Sequence, residues 1–173
     1  MKATGIIRRI DDLGRIVIPK EIRDALHMKN ESPVEISVNG QSIILEKHYK
    51  LKDLRSLCST FLKAYIETCS GVCIICSTEQ VLAVRGVSLS TDIFLSPHVS
   101  TYISRLEVYL YDEQNPLSLT GHDKYLIEAL YPIGTFDSPL GAVILLHYGK
   151  ASQSQLACVK LLASMLTELT QSN

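Results

Sequence analysis

Asn39-Gly40 constrains the fold more than any other short feature of this chain. It separates Val34-Glu35-Ile36-Ser37-Val38, where apolar and polar residues alternate, from Ser42-Ile43-Ile44-Leu45-Glu46. A type I′ turn needs two residues that tolerate positive φ, and Asn-Gly supplies both. Two such segments across that turn predict an antiparallel hairpin with one half-buried face. Upstream, Thr4 to Ile10 and Arg15 to Ile18 predict two more strands, with Asp11-Asp12-Leu13-Gly14 turning between them. Pro19 ends the second strand and can open a helix, because the N–H it lacks is unsatisfied at a helix start anyway. Glu21 then lies in the first turn, where a carboxylate suits the helix dipole. Ile22, Ala25 and Leu26 form one apolar helical face. The order predicted for residues 1–50 is β-β-α-β-β.

Four short strands and two helical turns bury little surface. A unit of this size without disulfides or metal is marginal alone. It therefore predicts a partner, most simply a second copy with interleaved strands. A two-fold dimer would set Arg8, Arg15 and Arg23 on both sides of its axis, which matches the local dyad of a DNA duplex.

The overall charge hides this region. The 173 residues are 46% apolar and 20% charged, with a net charge of −1. That excludes a wholly basic nucleic-acid protein but not a basic region within a neutral total. Residues 1–50 hold nine Lys/Arg against seven Asp/Glu; residues 51–173 hold eight against eleven. The longest apolar runs, such as Gly141 to Leu146, fall far short of the roughly 20 residues that span a bilayer. Met1-Lys2-Ala3-Thr4-Gly5 has no apolar signal core. A cytoplasmic, nucleoid-associated protein is expected. Five cysteines, an odd number, argue against a closed disulfide framework.

The stretch from Met1 to Arg23, with Thr4-Gly5-Ile6-Ile7-Arg8-Arg9-Ile10-Asp11-Asp12-Leu13-Gly14-Arg15-Ile16-Val17-Ile18-Pro19 at its centre, resembles the swapped-hairpin DNA-binding domain of the AbrB family. The resemblance covers roughly residues 1–50. It implies a homodimer of interlocked hairpins bound to double-stranded DNA, with sporulation genes as targets. By position, the DNA contacts would fall on Arg8, Arg15 and Arg23, with Arg9 and Lys2 in support. One departure is Asp24, where the family often carries a second arginine; a carboxylate facing phosphate would repel it. The turn Lys29-Asn30-Glu31-Ser32 also lacks an expected glycine.

Residues 51–173 predict a second domain. Leu51, Leu54, Cys58, Phe61 and Tyr65 follow 3-4-3-4 spacing, a stripe suited either to its own domain or to a helix across a dimer. Gly71 to Cys76 and Gln80 to Val87 predict strands. Ser96-Pro97 should open a helix running through Tyr102, Ile103, Leu106 and Tyr109. Ile127 to Ile133 and Gly141 to Tyr148 predict strands around Thr135 to Pro139. Ser152 or Ser154 should cap a last helix carrying Leu156, Val159, Ala163 and Leu166. The order α-β-β-α-β-β-α is similar to a GAF-type sensor domain. That likeness implies ligand sensing or tetramerisation. No cyclic-nucleotide signature accompanies it, so the small-molecule effector is left open. The fold class expected for the whole chain is α+β.

Chemical motifs are sparse. Cys69-x3-Cys73-x2-Cys76 has iron–sulfur spacing. A β pattern through Val72 to Cys76 would set Cys73 and Cys76 on opposite faces, about 10 Å apart, so small buried hydrophobes are expected instead. Gly121-His122-Asp123 has no accompanying His/Asp cluster, and the other histidines are scattered. Tyr102, Tyr109, Tyr111, Tyr125 and Tyr131 suit a pocket, a partner surface or core packing. No phosphate loop or nucleophile elbow is present, so neither enzyme activity, metal nor cofactor is expected. The expected function is a DNA-binding transcription regulator. Arg8, Arg15 and Arg23, used twice, give about six charge contacts and a log–log salt slope near −5. A MazE-type antitoxin, which shares the hairpin fold and adds a toxin partner, is the competing reading.

Overall fold

The computed structural model describes residues 5–26, 28, 30, 33–48, 50–91, 93–121 and 124–171. The chain divides into two units, Met1–His48 and Tyr49–Asn173. Both mix helix with antiparallel strands, so the class is α+β.

In the first unit, α1 (Lys20–Ala25) follows Pro19, and β1 (Val34–Asn39) pairs with β2 (Ser42–Lys47). Pro19 is the N-cap of α1 (φ −56°, ψ 148°) rather than its first helical residue. The hairpin turn is displaced by one residue from the expected Asn39-Gly40. Asn39 pairs with Ser42, so Gly40 and Gln41 form the turn, and Gly40 has φ +61°. Glycine at the first turn position alone is the type II′ pattern. This register sets Val38 beside Ile43 and Ile36 beside Leu45 on one face. Most of that face is bare: Ile36, Val38 and Ile43 are 69%, 74% and 67% exposed, and Leu45 is half-buried.

Residues 5–19 belong to no described strand. Apart from the Pro19 carbonyl, which accepts from Ile22 N and Arg23 N at the start of α1, their described backbone hydrogen bonds close a single turn, Asp11 N to Arg15 O at 3.0 Å and Gly14 N to Asp11 O at 2.9 Å. The apolar–polar pattern there is that of strands, but a strand is defined by its partner, and within one chain these segments have none described. Ile7, Ile10, Leu13 and Val17 stand exposed in consequence, and no residue of α1 is buried.

The second unit is a three-layer sandwich. Its sheet has the order β4-β3-β7-β6-β5, antiparallel throughout, built from β3 (Cys73–Ser77), β4 (Val81–Arg85), β5 (Tyr109–Leu110), β6 (Ile127–Thr135) and β7 (Ser138–Leu146). The helices α2 (Lys50–Asp53), α3 (Arg55–Thr68) and α5 (Gln153–Gln171) contribute to the core on one face; α4 (Pro97–Ser104) packs on the other. Alternation along β3 follows: Cys73 and Ile75 enter the first core, Ile74 and Cys76 the second. The two cysteines thus lie on opposite faces.

The stripe from Leu51 to Tyr65 packs within its own unit: Leu51, Cys58 and Tyr65 are buried, while Leu54 and Phe61 pack against the same core half-buried. In α5, Val159, Ala163, Leu166 and Thr170 form the buried stripe. Ser152 and Gln155 make a reciprocal capping box, Gln155 N to Ser152 Oγ at 3.2 Å and Ser152 N to Gln155 Oε1 at 2.8 Å.

Two expectations need correction. First, α4 stops at Ser104 instead of reaching Tyr109. Leu106 takes φ 54°, with Glu107 N bonded to Tyr102 O and Leu106 N to Ile103 O. This is a Schellman stop, ordinarily marked by glycine; leucine at that position conceals it in the sequence. Tyr109 belongs instead to β5. Second, β6 and β7 extend into the segment expected to be a five-residue turn. Thr135 pairs with Ser138, leaving only Phe136-Asp137 to reverse the chain.

Gly141 lets β7 lie close against β3. A Cβ there would lie 1.9 Å from the Cys76 carbonyl oxygen and 2.8 Å from Leu51 Cδ1. Among the described residues, no helix is long and apolar enough to cross a membrane.

Candidate nucleic-acid interface

The arginines of the first unit sit around two local frames. The first is the turn Asp11–Arg15. Asp11 Oδ1 accepts from the amides of Leu13 (3.0 Å) and Arg15 (2.8 Å), and Asp11 Oδ2 accepts from Arg15 Nε at 2.8 Å. The Arg15 amide and guanidinium together hold the Asp11 carboxyl below its ordinary value. One carboxylate therefore closes the turn and grips the inner edge of the guanidinium. The Arg15 side chain remains 71% exposed, with this ion pair at Nε. Exposed pairs of this kind contribute little stability, so the consequence is orientation.

The second frame is α1. Arg23 is half-buried; its Nη1 donates to Asn30 Oδ1 at 3.1 Å, while its Nε is buried without a hydrogen bond. Met28 N bonds to Arg23 O at 2.8 Å and ends the helix. Arg8 is exposed, and its Nη1 donates to Ile7 O at 3.2 Å. Arg9 is exposed too. Lys2 lies outside the described residues. Asp24 is exposed on α1, beside Arg23 in sequence.

Sequence reasoning singled out the arginines but missed what holds them. Asp11, four residues before Arg15 across a tight turn, was the available signal. Asn30, seven residues from Arg23, left none.

The second unit has a cleft of about 440 Å³ between the start of α4 and residues 115–121, walled by Ser96, His98, Tyr102, Tyr109, Asn115 and Ser118. Tyr102 and Tyr109 meet edge to face there, with centroids 5.5 Å apart. The other tyrosines go elsewhere: Tyr111 stacks on His147 at 3.8 Å, Tyr125 lies under Lys124 Nζ, and Tyr131 packs on the α5 side. His147 Nδ1 pairs with Glu128, whose other oxygen accepts from Ala151 N at 2.8 Å. Burial pushes the thiols of Cys73 and Cys76 up to about 12 and that of Cys58 to about 11. Among the described residues, no group of three or more metal-ligating side chains is gathered. His122 and Asp123 lie outside the described residues.

Known proteins bear on both units. Residues 7–52 match the family described as antidote-toxin recognition MazE, bacterial antitoxin. The transition state regulatory protein AbrB of Bacillus subtilis is 48% identical over 48 residues, 28% of this chain and 50% of that protein. The putative transition state regulator Abh of the same organism is 46% identical over 48 residues, 28% of this chain and 52% of its own. The solution structure of the N-domain of the transcription factor AbrB is 48% identical over 28% of this chain and 92% of that one, with a TM-score of 0.27. Stage V sporulation protein T of Bacillus subtilis is similar through both units, 33% identical over 152 residues that cover 84% of each chain. At that identity and coverage, the chain belongs to the family of stage V sporulation protein T.

Proposed function

We propose that this protein is a transcription regulator of the AbrB type that binds double-stranded DNA as a homodimer interlocked through residues 1–50. The observation that carries the reading is the apolar surface left uncovered beside the arginines of the first unit. Ile36, Val38 and Ile43 on the hairpin and Ile7, Ile10 and Val17 before α1 are all at least half exposed. Apolar surface of that extent is an association site. The hairpin strands pair only with each other, and residues 5–18 have strand patterning with no described strand partner in their own chain, so pairing with a second copy would satisfy backbone and cover side chains together.

Arg8, Arg15 and Arg23, with Arg9 and Lys2 in support, would then contact phosphates from both protomers. So few side chains leave sequence preference partly to groove shape and bendability. The family membership and the AbrB and Abh relatives support a regulator rather than an enzyme, and one acting on sporulation genes. Its place of action would be the cytoplasm, on the nucleoid. Residues 51–173 form a GAF-like domain in this reading. The cleft by α4 would admit a small-molecule effector, and the exposed stripe Leu161, Met165 and Leu169 on α5 would join dimers into a tetramer.

The test is full-length protein titrated into a labelled mixed-sequence duplex at about 0.1 M salt, with sedimentation of the same samples. A dimer or tetramer that binds the duplex supports the reading. A monomer, or no binding even in dilute buffer, defeats it. The match of residues 7–52 favours one second reading, an antitoxin. Co-purification with a small toxin would establish that reading instead.

A further inference from the structure

Cys69 and Cys158 are 89 positions apart, yet their sulfurs meet at 3.5 Å. Cys69 caps the C-terminus of α3, and Cys158 lies in the second turn of α5. The junction is held from several sides. Gln155 Nε2 donates to Ser70 O at 2.6 Å, and Tyr65 Oη donates to the same oxygen at 3.3 Å. One turn of α5 is thus tied to the residue after Cys69, and the two thiols are held in register rather than meeting by chance. Closing them to a bond of about 2.05 Å needs about 1.5 Å of movement, within reach of side-chain rotation. The other three cysteines are fully buried, and Cys73 and Cys76 lie on opposite faces of the sheet.

We propose that Cys69 and Cys158 form a peroxide-responsive dithiol that closes to an intrachain disulfide. Cys158, the more exposed of the two, takes the first step. Its sulfur attacks the peroxide O–O bond, giving a sulfenic acid and one water (an alcohol if the peroxide is organic). Cys69 then attacks that sulfur, the S–O bond breaks, and the hydroxyl leaves as a second water with the thiol proton. Two thiols are oxidised by two electrons and one peroxide is reduced. Burial and the neighbouring Cys158 thiol raise the Cys69 pKa, which suits Cys69 to the second, resolving step rather than the first attack on peroxide. The product staples α3 to α5 across a sequence separation of 89, long enough for a large stabilising effect on the unfolded-chain entropy account.

The experiment treats the full-length protein with hydrogen peroxide, alkylates remaining thiols under denaturing conditions and maps peptides without reduction. The expected result is one Cys69–Cys158 linked peptide, a protein lighter by two hydrogen atoms, and Cys58, Cys73 and Cys76 fully alkylated. Thermal unfolding should rise by roughly 5–10 °C on oxidation and return with reductant. In Cys69→Ser, peroxide should leave a Cys158 sulfenic acid that dimedone traps. Three outcomes overturn the proposal: linkage between chains through Cys158, over-oxidation of Cys158 in the wild type without the linked peptide, or oxidation that leaves the melting temperature unmoved. The wild-type mapping does not depend on whether any variant folds.

Discussion

Replacing Arg15 with alanine tests the proposed interface most directly. Each neutralised phosphate contributes about −0.9 to the slope of log affinity against log salt. A two-fold dimer loses two such contacts, so the slope should become shallower by about 1.8. If those contacts vanish near 1 M salt, the affinity lost at about 0.1 M is roughly 60-fold. Asp11 complicates the source of that loss, because its carboxylate sits 2.8 Å from Arg15 Nε. Arg15→Ala therefore turns a neutral pair into a bare anion at the proposed DNA face, and a field effect alone would also weaken binding. The double variant Arg15→Ala with Asp11→Asn separates the two causes, since it restores a neutral site without restoring a phosphate donor. Binding should stay weak and the slope shallow. The assay is fluorescence anisotropy with a labelled duplex across a salt series, with sedimentation to show that association persists. An unchanged slope in Arg15→Ala, or full recovery in the double variant, would refute a direct contact. The same pair has a pH signature. The folded-state pKa of Asp11 is lowered, so the interaction is present above the ordinary carboxylate pKa and is lost as pH falls through the folded value. Carboxyl NMR should find Asp11 titrating below 3.8, and Arg15→Ala should move that midpoint upward.

Further outcomes concern the second unit. Tyr109 Oη accepts from the amides of Leu117 (3.0 Å) and Asp112 (3.2 Å), so Tyr109→Phe strips two amides of their acceptor. The expected cost is about 2 kcal/mol in urea unfolding, and a change within about 0.5 kcal/mol would show that water replaces the phenol. Gly141→Ala would drive a Cβ to 1.9 Å from the Cys76 carbonyl and force β3 from β7. That should cost more than about 3 kcal/mol, and a variant melting within about 2 °C of the wild type would contradict the close approach.

Much of the architecture was legible because it depends on local rules. The period-2 alternation of Val34 to Val38, the Ser96-Pro97 cap and the apolar spacing of α5 each declare an element without reference to distant residues. The errors arose where a local signal was weak or shared. Leu106 stops α4 in a conformation usually left to glycine. The hairpin register shifted by one residue because Gly40 can begin a turn as well as end one.

From sequence alone came the hairpin, α1 and most elements of the second unit, the arginine-rich opening segment and the expectation that fifty residues would not bury their own apolar face. Those follow from composition and periodicity, which any window of chain displays. The two strands expected before α1 did not appear within one chain, and α2 and β5 were not foreseen. Only the tertiary structure could bring Asp11 Oδ2 to Arg15 Nε, Asn30 to Arg23, and Cys69 to Cys158. The four-residue spacing hinted at the first of these, but the other two depend on how helices and loops close in space, and sequence separations of seven and 89 carry no record of that closure.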